Sequence, residues 1–139
     1  MLRALPALAV SCLFAGCSSQ HAPADVAGRF LDKYYVETDQ RAALPLCAGP
    51  AARRIAAEIA DLDQARRQGL PAPAFRPRMS YRKLGARPSP AAGERELEYD
   101  LSIDSSGVRL EKRVDVDLRR SSGRWRVWEF GDTDVTRLR

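Results

Sequence analysis

The strongest constraint on this chain is the alternation that fills its second half. In ERELEYDLSID, residues 94–104, Leu97, Tyr99, Leu101 and Ile103 point one way while Glu96, Glu98, Asp100 and Ser102 point the other, the period of a half-buried strand. After Asp104-Ser105-Ser106-Gly107, the run VRLEKRVDVDL puts Val108, Leu110, Val114, Val116 and Leu118 on one face and mostly charges on the other. A second turn at Arg120-Ser121-Ser122-Gly123 leads into RWRVWEF. Ser, Asp and Gly suit such turns, and two consecutive hairpins predict an antiparallel meander with one covered face. A weaker strand over Arg78 to Leu84, before the GARPSPAAG loop, brings the sheet to about four strands.

The first half has helical spacing instead. From Asp25, a plausible cap, Val26, Phe30, Leu31 and Tyr34 recur on one face, and a short helical piece is expected around Asp39 to Leu46. Pro50 suits the first turn of a third helix, in which Ile55, Ile59 and Leu62 form one stripe and Gly69 marks the end. LPAPAFRPR has too many prolines for regular structure and should run extended over the surface. With 139 residues, 45% of them hydrophobic, the expectation is one α+β domain, helices packed on an antiparallel sheet, over residues 25–139.

One residue breaks the strand pattern. Lys112 falls on the even-numbered face between Leu110 and Val114, where burying a lone ammonium costs several kcal/mol and calls for a partner. If the first turn pairs Ile103 with Val108, Tyr99 lies opposite Lys112. If the second pairs Leu118 with Trp125, Glu129 meets Val114, diagonal to Lys112. Tyr99, Lys112 and Glu129 are therefore the candidate site. On the other face the same register sets Glu98 opposite Arg113 and Asp117 opposite Arg126, while Glu96 opposite Asp115 fits badly. A bulge near Glu111–Arg113 would swing Lys112 outward, and one near Val127-Trp128 would turn Trp128 and Phe130 inward and Glu129 outward; both stay open.

The N-terminal end carries an address. Met1-Leu2-Arg3 is a short positive region, and Ala4 to Ala15 is an apolar run too short for a mature transmembrane helix but suited to an export signal. Leu13-Phe14-Ala15-Gly16 directly before Cys17 resembles the lipobox of bacterial lipoproteins. The resemblance implies cleavage after Gly16, acylation of Cys17 as the membrane anchor, and, with Ser18 rather than aspartate next, passage to the outer membrane facing the periplasm. Residues 17–24 then form the lipidated tether, of small and polar composition. Two or three acyl chains hold a protein essentially permanently.

The remaining chemistry is sparse. Cys12 leaves with the signal and Cys17 is acylated in this reading, which leaves Cys47 as a small buried residue or, alternatively, a reactive thiol. The one histidine, His21, lies in the tether, so the domain has no Ser-His or Cys-His pair and no His/Cys zinc set. No phosphate-cradling glycine loop is present and no cofactor is expected. A net charge of +5 permits an anionic partner, but the signs are interleaved. Nucleic acid is not expected, given the compartment and the lack of a stacking platform.

Helices first, then a curved antiparallel sheet ending in Trp125-Arg126-Val127-Trp128 after a glycine turn, resembles the nuclear transport factor 2-like superfamily over roughly residues 25–131. The resemblance implies a sheet curled around a pocket capped by the first helix; fold analogy alone carries no activity. The expected function is a membrane-anchored envelope domain that binds a partner protein or small ligand. The alternative is an isomerase- or hydrolase-like enzyme using Tyr99, Lys112 and Glu129. A concave face filled by Trp125, Trp128 and Phe75 would sink that alternative.

Overall fold

A computed structural model describes residues 22–89 and 91–135; the leader Met1–Gly16, Cys17 and His21 lie outside them. The architecture is α+β. Helix α1 (Pro23–Leu31) continues into a π-helical turn (Asp32–Val36), followed by α2 (Gln40–Ala43), a 3-10 turn (Leu44–Leu46) and α3 (Gly49–Arg67). Strands β1 (Arg78–Arg87), β2 (Glu94–Ser105), β3 (Val108–Ser121) and β4 (Arg124–Asp134) then form one open, curved sheet in the order β1-β2-β3-β4, every pair antiparallel. Among the described residues, no helix is long and apolar enough to cross a membrane.

Helix α1 begins two residues earlier than the sequence pattern indicates. Pro23 occupies the first turn, where its missing N–H costs nothing, so Asp25 sits inside that turn and faces the helix dipole instead of capping it. Val26, Ala27, Phe30 and Leu31 are buried. The π turn inserts the extra residue that lets two consecutive tyrosines face inward: the Tyr34 ring stacks 5.4 Å from Phe30, and Tyr35 meets Tyr34 edge-on at 4.9 Å. Asp39 caps α2 by accepting from the Ala42 N–H.

Helix α3 starts at Gly49, whose φ of +55° suits glycine, and ends in a Schellman arrangement. Leu70 N–H donates to Ala65 O at 3.1 Å and Gly69 N–H to Arg66 O at 3.0 Å, with Gly69 at φ +73°. Only its first half packs on the sheet: Ala51 and Ile55 are buried, Ile59 is partly so, and Leu62 is exposed. Residues 70–77 are exposed or nearly so and have no regular structure, as the prolines at 71, 73 and 77 require.

The hairpins use tighter turns than four-residue spacing would. Ser106-Gly107 and Ser122-Gly123 each adopt two positive φ angles (48° and 82°, 51° and 75°), pairing Ser105 with Val108 and Ser121 with Arg124. That is the geometry whose twist matches the flanking strands. Both registers therefore move by two residues from the expected ones, which keeps every side chain on its face but changes its partner. Ile103 pairs with Leu110, and Tyr99 with Val114. On the convex face Glu98 pairs with Asp115, Glu96 with Asp117, and Asp117 with Glu129, so Arg113 and Arg126 are not the directly opposed partners expected. Arg113 nonetheless reaches Glu98 diagonally, and Asp100 at 3.2 Å.

Strand β4 also bulges. Leu118 pairs with Val127 but Asp117 with Glu129, leaving Trp128 as the extra residue. The bulge lies where the chain before α3 docks: Cys47 bridges Val127, and Ala48 N–H donates to Val127 O at 2.9 Å. Trp128 is held between Arg119, 4.6 Å above its ring, and Gly49, where an added Cβ would stand 2.6 Å from the indole. The concave face is consequently a filled core. Leu97, Tyr99, Leu101, Val114, Val116, Leu118, Val127 and Phe130 pack against Val26, Phe30, Leu31 and Ile55, each large side chain contributing about 1.5–3 kcal/mol. The pocket implied beneath the first helix is occupied by that helix's own side chains.

Candidate functional site

The three residues picked from sequence do not assemble. Tyr99 is 2% exposed, part of the core, with its ring edge-on to Tyr81 at 5.9 Å. Lys112 stays on the concave face, as its parity requires, but opposite Leu101 and Asp134. Glu129 is exposed on the convex face opposite Asp117. The expected register sets Glu129 across from Val114; Asp132 stands there instead. The displacement is the two-residue register change plus the one-residue bulge. The Ser-Gly dipeptides carry the signal for the first part, whereas the bulge depends on Cys47 and Ala48, distant in sequence.

Lys112 therefore finds aspartates. Its Nζ donates to Asp132 Oδ2 at 2.6 Å and lies 3.4 Å from Asp134 Oδ1. The hydrogen bond to Asp132 holds the ammonium above its ordinary range, and Lys112 is a partly exposed, neutralised cation. Tyr35 Oη donates to the other oxygen of Asp132 at 3.3 Å, and burial, then the Asp132 charge, push this phenol far above the usual tyrosine range.

The same device repeats along the helix layer. Tyr81 Oη lies 2.8 Å from Asp32 Oδ1 and 3.2 Å from Gly28 O; burial and the Asp32 hydrogen bond push it up. Tyr34 Oη donates to Glu58 at 2.9 Å, and burial with that hydrogen bond pushes it up to about 12. Arg54 binds Glu58 at 3.1 Å and lies 4.2 Å over the Phe130 ring. Cys47 points its thiol toward Ala43 O at 3.5 Å, and burial pushes it up to about 12. These groups keep their protons through neutral pH. They tie α1 to β1, α3 and β4; a general base or thiolate near neutrality would need the opposite shift.

The clefts lie away from the candidate residues. A groove of about 350 Å³ runs between α3 and the segment 70–77, lined by Leu62, Leu70, Pro73, Phe75 and Pro77 with Arg66. A polar cleft of about 300 Å³ adjoins it, lined among others by Arg41, Asp63 and Arg76. Arg41 bonds Asp63 there at 2.6 Å. Phe75, one of the three side chains whose filling of the concave face would sink the enzymatic alternative, lines this outer groove, and the concave face is filled by the helix side chains instead. Among the described residues, no group of three or more His, Cys, Asp or Glu side chains could hold a metal ion. No known family, curated protein or solved structure matches the chain.

Proposed function

We propose that this chain is a lipid-anchored bacterial envelope protein whose domain binds a partner protein or small ligand. The observation that carries the reading is the apolar Ala4–Ala15 run ending in Leu13-Phe14-Ala15-Gly16-Cys17, an export signal with a lipid-attachment site in the manner of bacterial lipoproteins. In this reading the anchor is outer-membrane and the domain faces the periplasm. The helix-then-meander order supports a nuclear transport factor 2-like cone, one whose interior is packed. Binding then falls to the outer groove at Leu62, Leu70 and Phe75, whose volume is in the range of small-ligand sites. The enzymatic alternative loses its motive, because Lys112 is neutralised by Asp132 and Tyr99 is core.

Labelling cells with a palmitate analogue tests the anchor. The wild-type chain incorporates label and Cys17→Ser does not; equal incorporation defeats the lipoprotein reading. A photo-crosslinking residue at Phe75 tests the groove: a discrete adduct in cells is expected, and an adduct no stronger than from a crosslinker at Arg82 removes the groove from the proposal.

A further inference from the structure

The hairpin sequence Arg119-Arg120-Ser121-Ser122-Gly123-Arg124-Trp125-Arg126 holds four arginines and no acidic residue. Elsewhere on the sheet Arg82, Arg87, Arg109 and Arg113 each lie against a carboxylate. At this end Arg119 alone does, at 3.2 Å from Glu94. Among the described residues, Arg95, Arg120, Arg124 and Arg126 make no ion pair; Arg95 and Arg126 bond only backbone carbonyls, of Glu94 and Pro45. Trp125 is half-buried beside two of these cations, with Arg95 5.7 Å and Arg120 5.6 Å from its ring. Unpaired guanidinium groups around an indole match an anionic membrane surface, where arginine meets phosphate and tryptophan sits at headgroup level.

The topology sets this hairpin beside the start of α1. The chain turns at Glu37–Asp39 and returns along α1 through α2, reaching β4 where Cys47 bridges Val127 and Arg126 binds Pro45 O. Helix α1 runs the opposite way, with Phe30 against Phe130 and Tyr35, further on, against Asp132. Its first residues, Ala22 and Pro23, are therefore at the sheet end that carries the β3–β4 turn. The stretch from Cys17 to Ala22 can span at most about 18 Å, roughly two Debye lengths at physiological salt.

We infer that the β3–β4 hairpin, together with Arg95, is a docking face for anionic phospholipid headgroups. Its orientation rests on the Cys17 anchor; its charge and its tryptophan stand without it. An acyl tether at this end converts headgroup contact into an intramolecular step, so modest contacts suffice to hold the domain against the leaflet. Each arginine favours the docked state about fivefold.

The test uses the chain purified from membranes with its own N-terminal end and carrying Trp128→Phe, which leaves Trp125 as the reporter. It is added to vesicles of phosphatidylcholine alone or with about a third phosphatidylglycerol, each containing brominated acyl chains. Docking gives strong quenching of Trp125 only with phosphatidylglycerol, and about 0.5 M NaCl removes it. Arg120→Ser with Arg124→Ser lowers the docked-to-undocked ratio about thirtyfold. Quenching that ignores phosphatidylglycerol, or tighter binding to a duplex oligonucleotide than to anionic vesicles, overturns the inference. Failure of the anchor reads differently: Cys17 takes no palmitate label, while flotation with anionic vesicles alone still reports the hairpin.

Discussion

The two hairpins of this sheet have the same turn and opposite surroundings. Both close on Ser-Gly with two positive φ angles. At the β2–β3 tip Arg109 is bound by Asp104 at 2.8 Å, and the exposed residues next to it are apolar, Val108 at 59% and Leu110 at 54%. At the β3–β4 tip the exposed Arg120 and Arg124 make no ion pair among the described residues and Arg119 alone meets a carboxylate, that of Glu94, and the strand behind them is braced by Cys47, Ala48 and the start of α3. The turn dipeptide sets register; what stands on either side decides what that end of the molecule can meet. A free tip and a braced tip built on one turn should also respond differently to substitution.

The largest effect is expected at the brace. Gly49→Ala places a Cβ 2.6 Å from the Trp128 ring at a φ of +55°, and should cost about 2–3 kcal/mol in urea denaturation. Loss under about 1 kcal/mol would mean that Trp128 moves freely and that the bulge is not braced there. Next come the turns. Gly107→Ala and Gly123→Ala both meet open space, so each should lose only the left-handed backbone term, about 1 kcal/mol and equal within error. A much larger loss at Gly123 would show that bracing reaches the turn.

The third effect is a gain. Asp117 is flanked on the convex face by Glu96 and Glu129, and burial, then those charges, hold its carboxyl above the ordinary 3.8. A carboxyl raised in the folded state binds its proton more readily there than in the unfolded chain. The folded protein is thus penalised above the folded value and relieved as pH falls through it toward 3.8. Asp117→Asn should stabilise by some tenths of a kcal/mol, about 0.5, at pH 7, with the advantage shrinking as pH falls through that window; a pH-independent difference would refute the assignment. Smallest is Lys112→Met. Partly exposed pairs contribute about 0–1 kcal/mol, so thermal unfolding should shift little, whereas Asp132→Ala, which strips partners from both Lys112 and Tyr35, should cost more.

Particular residues show how far the sequence can be read. Alternation puts Leu97, Tyr99, Leu101, Val114, Val116 and Leu118 on one face, and all are buried. Gly69 as the end of α3 and Pro50 near its start stand where expected. A period of two cannot separate registers that differ by two, so alternation alone allows Tyr99 opposite Lys112 when Leu101 belongs there. Ser106-Gly107, read as a two-residue turn, corrects that. The bulge near Val127-Trp128 that the sequence leaves open, with Phe130 in and Glu129 out, is the one that forms, but nothing local to RWRVWEF selects it over the regular strand, because the carbonyl at that point, that of Val127, is taken by Ala48.

Element type and order, and the face of β2 and β3, follow from the chain alone: helices, then a four-stranded meander whose two central strands turn their apolar parity inward, since local periodicity and turn chemistry dictate them. Which side chains meet is a matter of tertiary structure. The docking of the chain at Cys47 and Ala48 bulges β4, turns Glu129 out and Phe130 in, and delivers Asp132 to Lys112 and Tyr35. Such pairings combine register, bulge and packing of elements far apart in the chain, so a one-residue change in any of them gives a charged group a different partner.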